Sequence, residues 1–126
     1  MTVWTPVRGQ GGTVTMESTA AIPIHTPVKL TTNGIVTAGD GDEVLGVAAM
    51  AASASGELIT IWTQGVFKVR ATAARAMGTR VALNATGGID AGTSADAVVG
   101  IVVDADIAIN TDGNVLLYSD SALTIP

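Results

Sequence analysis

Along most of the chain, short apolar runs alternate with polar residues and are separated by turn-forming residues. In Val66–Arg70 the apolar side chains at positions 67 and 69 alternate with basic ones, which is the period of two expected for a strand with one wet face. Val44–Ala49 and Val98–Val103 are almost entirely apolar, and this predicts strands that are buried on both faces. The pattern predicts an all-β chain with short strands at Thr13–Glu17, Val28–Thr31, Ile35–Thr37, Val44–Ala49, Glu57–Thr63, Val66–Arg70, Arg80–Leu83, Gly88–Asp90, Val98–Val103 and Asn114–Ser119.

The same order of motifs occurs twice, at an offset that grows from about 53 to about 57 residues. A single unit of short strands cannot easily bury its apolar face, whereas two copies can bury their apolar faces together. The repeat therefore predicts one compact β-barrel or sandwich-like domain over residues 13–126, built from two pseudo-repeated units at about 26–70 and 78–119. The matching motifs are Pro27–Leu30, Gly34-Ile35, Ala38-Gly39, Val44–Ala48 and Gly56–Ile61 in the first copy, and Thr79–Leu83, Gly88-Ile89, Ala91-Gly92, Val98–Val102 and Gly113–Tyr118 in the second.

Two segments depart from the strand pattern. Ala71–Gly78 is rich in alanine and ends in glycine, which predicts a short helical connector of two turns between the copies. Residues 1–12 form a predicted extended N-terminal arm, since Gly9–Gly12 is a flexible joint. Trp4 on this arm is expected either to fold back onto its own domain or to dock on a neighbouring molecule.

The composition narrows the classes of function. Only 13% of the 126 residues are charged, the net charge is −5 and the few basic residues are scattered, which argues against a nucleic-acid partner. Aromatic residues make up 3%, so the core is expected to be thin, and a protein partner or an oligomer is a reasonable expectation. The absence of cysteine excludes disulfides and thiolate metal sites. No targeting segment and no apolar run of about 18 residues is recognisable, so neither secretion nor a membrane span is expected.

Candidate catalytic and metal-binding residues are few. His25, the only histidine, has no nearby partner in the sequence, and we interpret it as a loop residue without a catalytic or metal role. The acidic segment Gly39–Glu43 raises the possibility of a calcium site, but it lacks the spacing of a twelve-residue calcium loop. An Asp-Gly turn is the favoured interpretation. No enzyme activity, cofactor or metal is therefore expected.

Two further sets of side chains invite a functional interpretation. Asp104, Asp106 and Asp112 would need a shared cleft to act as paired acids, and their spacing indicates none, so we interpret them as solubilising loop residues. Trp62 and Tyr118 end equivalent strands of the two copies. They are predicted to be core or interface side chains, with an exposed aromatic platform for sugars or bases as the alternative.

The order of motifs resembles that of the small capsid decoration (cement) proteins of tailed bacteriophages. The resemblance extends over residues 12–119 and contains no catalytic signature. It is carried by apolar and glycine positions at Thr26–Leu30, Gly34–Val36, Gly39–Ala48, Gly56–Ile61, Gly65–Val69, Ala71–Met77, Gly78–Val81 and Val99–Val102.

The resemblance implies a β-rich structural protein on the outer capsid surface of the virion. It implies a homotrimer that stabilises the shell by bridging major capsid protein subunits, with no nucleic-acid or membrane partner. From the tryptophan on the glycine-hinged arm, we predict that Val3, Trp4 and Val7 contact the capsid, and that deletion of residues 1–11 abolishes this contact while leaving the fold intact. The alternative is a small β module that binds carbohydrate or peptide in a secreted or tail-associated assembly.

Overall fold

All regular secondary structure in the described part of the chain is β-strand. A computed structural model describes the backbone of residues 3–92 and 96–124, and the side chains of these residues as far as Leu117. The all-β prediction is confirmed, and the predicted strands agree with the observed ones to within a few residues at most ends. The strands are β1 (Thr5–Arg8), β2 (Thr13–Glu17), β3 (Pro27–Thr31), β4 (Gly34–Thr37), β5 (Gly46–Ala48), β6 (Leu58–Trp62), β7 (Val66–Ala71), β8 (Arg80–Leu83), β9 (Ile89–Asp90), β10 (Ala97–Val102) and β11 (Thr111–Thr124).

The strands form two sheets, one made of β2–β6 and the other of β7–β11 together with β1. We call β2–β6 the first unit and β7–β11 the second unit. The first unit has the strand order β2-β6-β5-β3-β4, and a parallel bridge from Ser18 to Ile35 brings its two ends together. The second unit has the order β7-β11-β10-β8-β9, and the parallel pair Ala71–Ile89 closes it into a five-stranded barrel. β1 is added to the sheet at the outer edge of β7.

The two units have the same topology and the same register. Val28 lies opposite Gly46 in the first unit, and Val81 lies opposite Gly100 in the second. The pairs that close each unit correspond in the same way. Partners in the second unit lie about 53 or 54 residues further along the chain than their counterparts. The repeat seen in the sequence is therefore also a repeat of structure.

This register places the boundary between the copies differently from the sequence pattern. β7 is the counterpart of β2, so the structural units begin at Val66 and Thr13 rather than at about 78 and 26. Each unit also brings its own first and third strands together, through Ser18 and Ile35 in one and Ala71 and Ile89 in the other. Each copy therefore closes on itself. The parallel contact within a copy pairs the edge strands that we expected the other copy to cover.

Gly46 at the start of β5 and Gly100 within β10 allow the strands to approach one another closely. A Cβ at Gly46 would collide with the Trp62 carbonyl, and one at Gly100 would lie 2.7 Å from the Leu116 carbonyl. A side chain at either position would push the neighbouring strand away, which explains a glycine within an otherwise apolar strand.

The predicted helical connector is wrong. After β7 ends at Ala71, the chain passes through a bend, an isolated bridge at Arg75 and a turn. The Arg75 N–H donates to Ile107 O at 2.9 Å, and the Ala71 carbonyl, which a helix would use at this point, accepts from the Asn110 N–H at 2.8 Å. Helix nucleation over so few residues is unfavourable, so pairing with the distant loop overrides the local preference for helix.

The core consists of two apolar clusters. One lies within the first unit and is lined by small and branched side chains, including Val28, Ile35 and Ile61. The larger cluster fills the second unit around Phe67, Leu83 and Val99, and it extends into the contact between the units. Its members from outside the second unit are Trp4, Ala38, Val44 and Val47, with Trp62 packed against them.

Candidate interaction surface

The N-terminal segment is an integral strand of the fold. β1 pairs antiparallel with β7, with Thr5 opposite Lys68 and Pro6 opposite Phe67. Pro6 is tolerated because β1 is the edge strand of its sheet. The Gln10 side-chain amide donates to Val66 O at 2.8 Å, just beyond the strand. The predicted extended arm therefore includes a strand that belongs to the six-stranded sheet.

Trp4 folds back into its own domain, one of the two outcomes left open by the sequence. Its side chain is 0% exposed, its ring lies 6.1 Å from the Phe67 ring between centroids, and its indole N–H donates to Gly87 O at 2.7 Å. The ring therefore closes the end of the second unit and has no surface left for a partner.

Val3 and Val7 differ from Trp4 because their side chains are exposed, by 48% and 42%. Next to them, Arg8 donates to the Asp104 carboxylate at 2.7 Å. This hydrogen bond, together with one from Asn114, lowers the pKa of Asp104. Of the three residues predicted to contact the capsid, these two valines keep accessible side chains, and the contact itself stays a prediction.

His25 and Trp62 have structural partners. His25 has a φ of 60°, its carbonyl accepts from the Trp4 N–H at 2.6 Å, and its ring stacks on Trp62 with 5.8 Å between centroids. Trp62 also contacts Phe67, with 6.0 Å between ring centroids. His25 thus helps to hold the N-terminal strand, and Trp62 is a contact between the units rather than an exposed platform.

The register changes the counterpart of Trp62. Trp62 lies opposite Thr13 and Val47, and in the second unit the equivalent position, opposite Val66 and Ile101, belongs to Leu116. Tyr118, which the sequence repeat paired with Trp62, therefore lies beyond the equivalent position, and its side chain is outside the described residues.

The acidic segment Gly39–Glu43 forms a turn, as favoured from the sequence. Gly41 has a φ of 71°, and the Asp42 carboxylate accepts from the Gly39 N–H at 2.7 Å and from Lys29 Nζ at 2.9 Å. Partial burial acts to raise the pKa of Asp42, but the Gly39 hydrogen bond and Lys29 outweigh it, so the pKa is lowered. The carboxylate is used to hold the turn and to bind a lysine.

Asp104, Asp106 and Asp112 do share a cleft, contrary to the expectation from their spacing. All three line a shallow cavity of about 210 Å³ together with Lys68. Each carboxylate has a partner: Asp104 accepts from Arg8, Asp106 accepts from the Met77 N–H at 2.8 Å, and Asp112 lies 3.4 Å from Arg70. Within the described residues, no three acidic or histidine side chains converge where they could hold a metal ion.

The exposed apolar side chains are the features of the surface that sequence reasoning missed. Leu30 is 58% exposed although it lies within a strand, and its counterpart Leu83 is fully buried. Comparison of the two copies, once aligned by register, is the signal that reveals such positions. In the described part of the chain, no helix is long and apolar enough to span a membrane.

Comparisons with known proteins agree with the β fold and give the family of the chain. A family model described as "Phage cement protein" matches residues 7–117. A solved structure of the head fiber gp8.5 N base of bacteriophage phi29 superimposes with a TM-score of 0.57 at 12% identity, covering 85% of this chain and 93% of that one. No curated protein is matched by sequence. The structural likeness shows the fold, and the family match extends over most of the chain.

Proposed function

The chain belongs to the phage cement protein family, and from this premise we propose that it binds the outer surface of a bacteriophage capsid as a homotrimer. There it stabilises the shell by bridging neighbouring major capsid protein subunits. The observation that carries the proposal is the family match over residues 7–117. The likeness of the fold to the base of a phage head fiber agrees with a capsid-associated structural role.

The proposed contact with the capsid is made by the outer side of β1. This strand lies at the edge of its sheet and carries the exposed side chain of Val7, and Val3, also exposed, lies two residues before it. An edge strand presents unpaired backbone donors and acceptors that a strand of another protein can bind. Trp4 and Arg8 hold β1 in place from the other side, so β1 meets its partner already ordered and the entropy lost on binding is small.

Stabilisation of the shell then follows from several contacts acting together. A trimer presents three equivalent binding surfaces, and after the first contact the others form at a high effective concentration. Modest individual affinities therefore add up to firm attachment. Subunits beneath a bound trimer can separate only if one of these contacts is broken, which opposes expansion of the shell.

The test is binding of a Val3→Asp, Val7→Asp double variant to purified capsids, measured by co-sedimentation. Both side chains are exposed, so the variant is expected to fold normally and to lose binding. Leu58→Asp is the matched control, since Leu58 is 68% exposed on β6 and should leave binding unchanged. Binding by the double variant at the wild-type level would contradict the proposed contact.

Deletion of residues 1–11 is not an equivalent test. It would remove Trp4 from the core as well as the exposed valines, so a loss of binding could result from a damaged fold. Point substitutions on the exposed side of β1 separate the two effects.

A further inference from the structure

At the contact between the two units, an apolar pair of residues from the first unit packs against the open end of the second unit. Val47 and Trp62 lie opposite each other on β5 and β6, on the outside of the first unit. They pack into the cluster that fills the second unit around Phe67, Leu83 and Val99. These three side chains are 0% exposed.

Both halves of this contact have counterparts elsewhere in the chain. By register, the outer pair Val47 and Trp62 corresponds to Ile101 and Leu116, which lie opposite each other on β10 and β11. We call Ile101 and Leu116 the outer face of the second unit. Leu116 is 38% exposed and Ile101 is partly exposed.

The counterparts of the receiving end are Val14, Leu30 and Leu45, which we call the mouth of the first unit. They correspond by register and sequence to Phe67, Leu83 and Val99. Val14 is 37% and Leu30 is 58% exposed, and Leu30 and Leu45 line a cavity of about 430 Å³. The Lys29–Asp42 ion pair lies at the same cavity, so an apolar surface is bordered by charged groups, as in many protein interfaces.

We propose that the mouth of the first unit binds the outer face of the second unit of another copy of this chain. The contact repeats between chains the one that already joins the two units within a chain. This inference rests on the self-association in the proposed function, and it names the surfaces that carry it.

The geometry of such a contact follows from the difference between its two surfaces. The mouth and the outer face lie on different units, so each copy offers one surface of each kind. The contact is therefore head to tail, and a head-to-tail contact gives a closed ring when the rotation between neighbours closes and a filament when it does not. In a ring of three chains, six units would follow one another, with contacts within and between chains alternating.

The test uses one variant of each surface. Leu30→Glu places a charge in the mouth and Leu116→Glu places one on the outer face. Each charge would be buried on assembly, so we expect each variant alone to be monomeric, with its dissociation constant raised by at least about 100-fold. The mass in solution is measured by light scattering on a sizing column. Met77→Glu is the matched control, since Met77 is 58% exposed and outside both surfaces, and it should keep the wild-type mass.

Mixing the two variants distinguishes a head-to-tail contact from any symmetric one. The Leu30→Glu variant keeps an intact outer face, and the Leu116→Glu variant keeps an intact mouth. One unaltered contact therefore forms between the two variants, and no further copy can be added to the pair. The expected result is a complex of twice the 12.6 kDa chain mass, which also shows that both variants are folded. A mixture that stays monomeric, or a single variant that keeps the wild-type mass, would overturn the proposal.

The wild-type protein separates this inference from the proposed function. If it is monomeric at about 1 mM and still binds capsids, the contact between copies is refuted and capsid binding stands. If it assembles and the variants behave as expected but it does not sediment with capsids, the proposed function fails and this contact stands.

Discussion

Replacing Trp4 by alanine measures how much the N-terminal strand contributes to the stability of the fold. The ring is fully buried in the larger core cluster, and truncating a buried aromatic side chain to alanine destabilises a protein by about 3–5 kcal/mol. The variant also loses the 2.7 Å hydrogen bond from the indole to Gly87 O, and a buried carbonyl left without a partner adds about 1 kcal/mol. The expected loss of roughly 4–6 kcal/mol is a large part of the 5–15 kcal/mol typical of a folded domain.

The assay is equilibrium denaturation in urea, followed by circular dichroism at one fixed protein concentration because self-association shifts apparent stability. Trp4→Phe keeps most of the buried ring and loses the donor, so it should destabilise by about 1–3 kcal/mol. Val7→Ala, on the exposed side of the same strand, should stay within about 0.5 kcal/mol of the wild type. A loss below about 1 kcal/mol for Trp4→Ala would refute the argument that this ring fills the core.

Two further sets of substitutions test the acidic turn and the close approach of strands. The pKa of Asp42 is lowered in the folded protein, so its stabilising effect is present above its unfolded pKa and is lost as the pH falls through the folded value. Melting temperatures between about pH 5 and pH 2 should therefore fall more for the wild type than for Asp42→Asn, and parallel curves would contradict this. Gly46→Ala and Gly100→Ala should each destabilise by about 2–4 kcal/mol in urea, since the new Cβ meets the neighbouring strand. Gly78→Ala is their control, with a φ of 88° and open space around it, and should lose only about 1 kcal/mol; equal effects at all three positions would argue against the close approach.

The burial of Trp4 decides between the two outcomes that the sequence left open for this side chain. Trp4 holds β1 against the second unit, and the exposed valines on either side of it remain available to a partner. A tryptophan on a glycine-flanked segment is compatible with either role. The choice depended on whether a space of the right size existed next to Phe67, and no local pattern reveals such a space.

The positions of the strands could be predicted because they depend on local properties. The alternation in Val66–Arg70 and the turn at Gly39–Glu43 need only the residues themselves and their neighbours. β1 was not predicted, since a short run containing proline has no strand signal of its own and pairs only because the edge of β7 is free. The connector after Ala71 was wrongly predicted as helix for a similar reason. Its Arg75 pairs with Ile107, which is distant in the sequence, so the local pattern does not show the pairing.

The amino-acid sequence by itself determined that the chain is all-β, that it is built twice from the same order of strands, and that it resembles phage cement proteins. Only the tertiary structure decided that each copy closes on itself, that Trp4 is buried, and that Leu30 and Leu116 remain exposed whereas their counterparts Leu83 and Trp62 are fully and partly buried. The physical reason is that strand formation follows from side chains close together in the sequence, whereas closure and burial depend on contacts between distant segments. Two copies with nearly the same pattern can therefore fold alike and still differ in which of their surfaces are left for a partner.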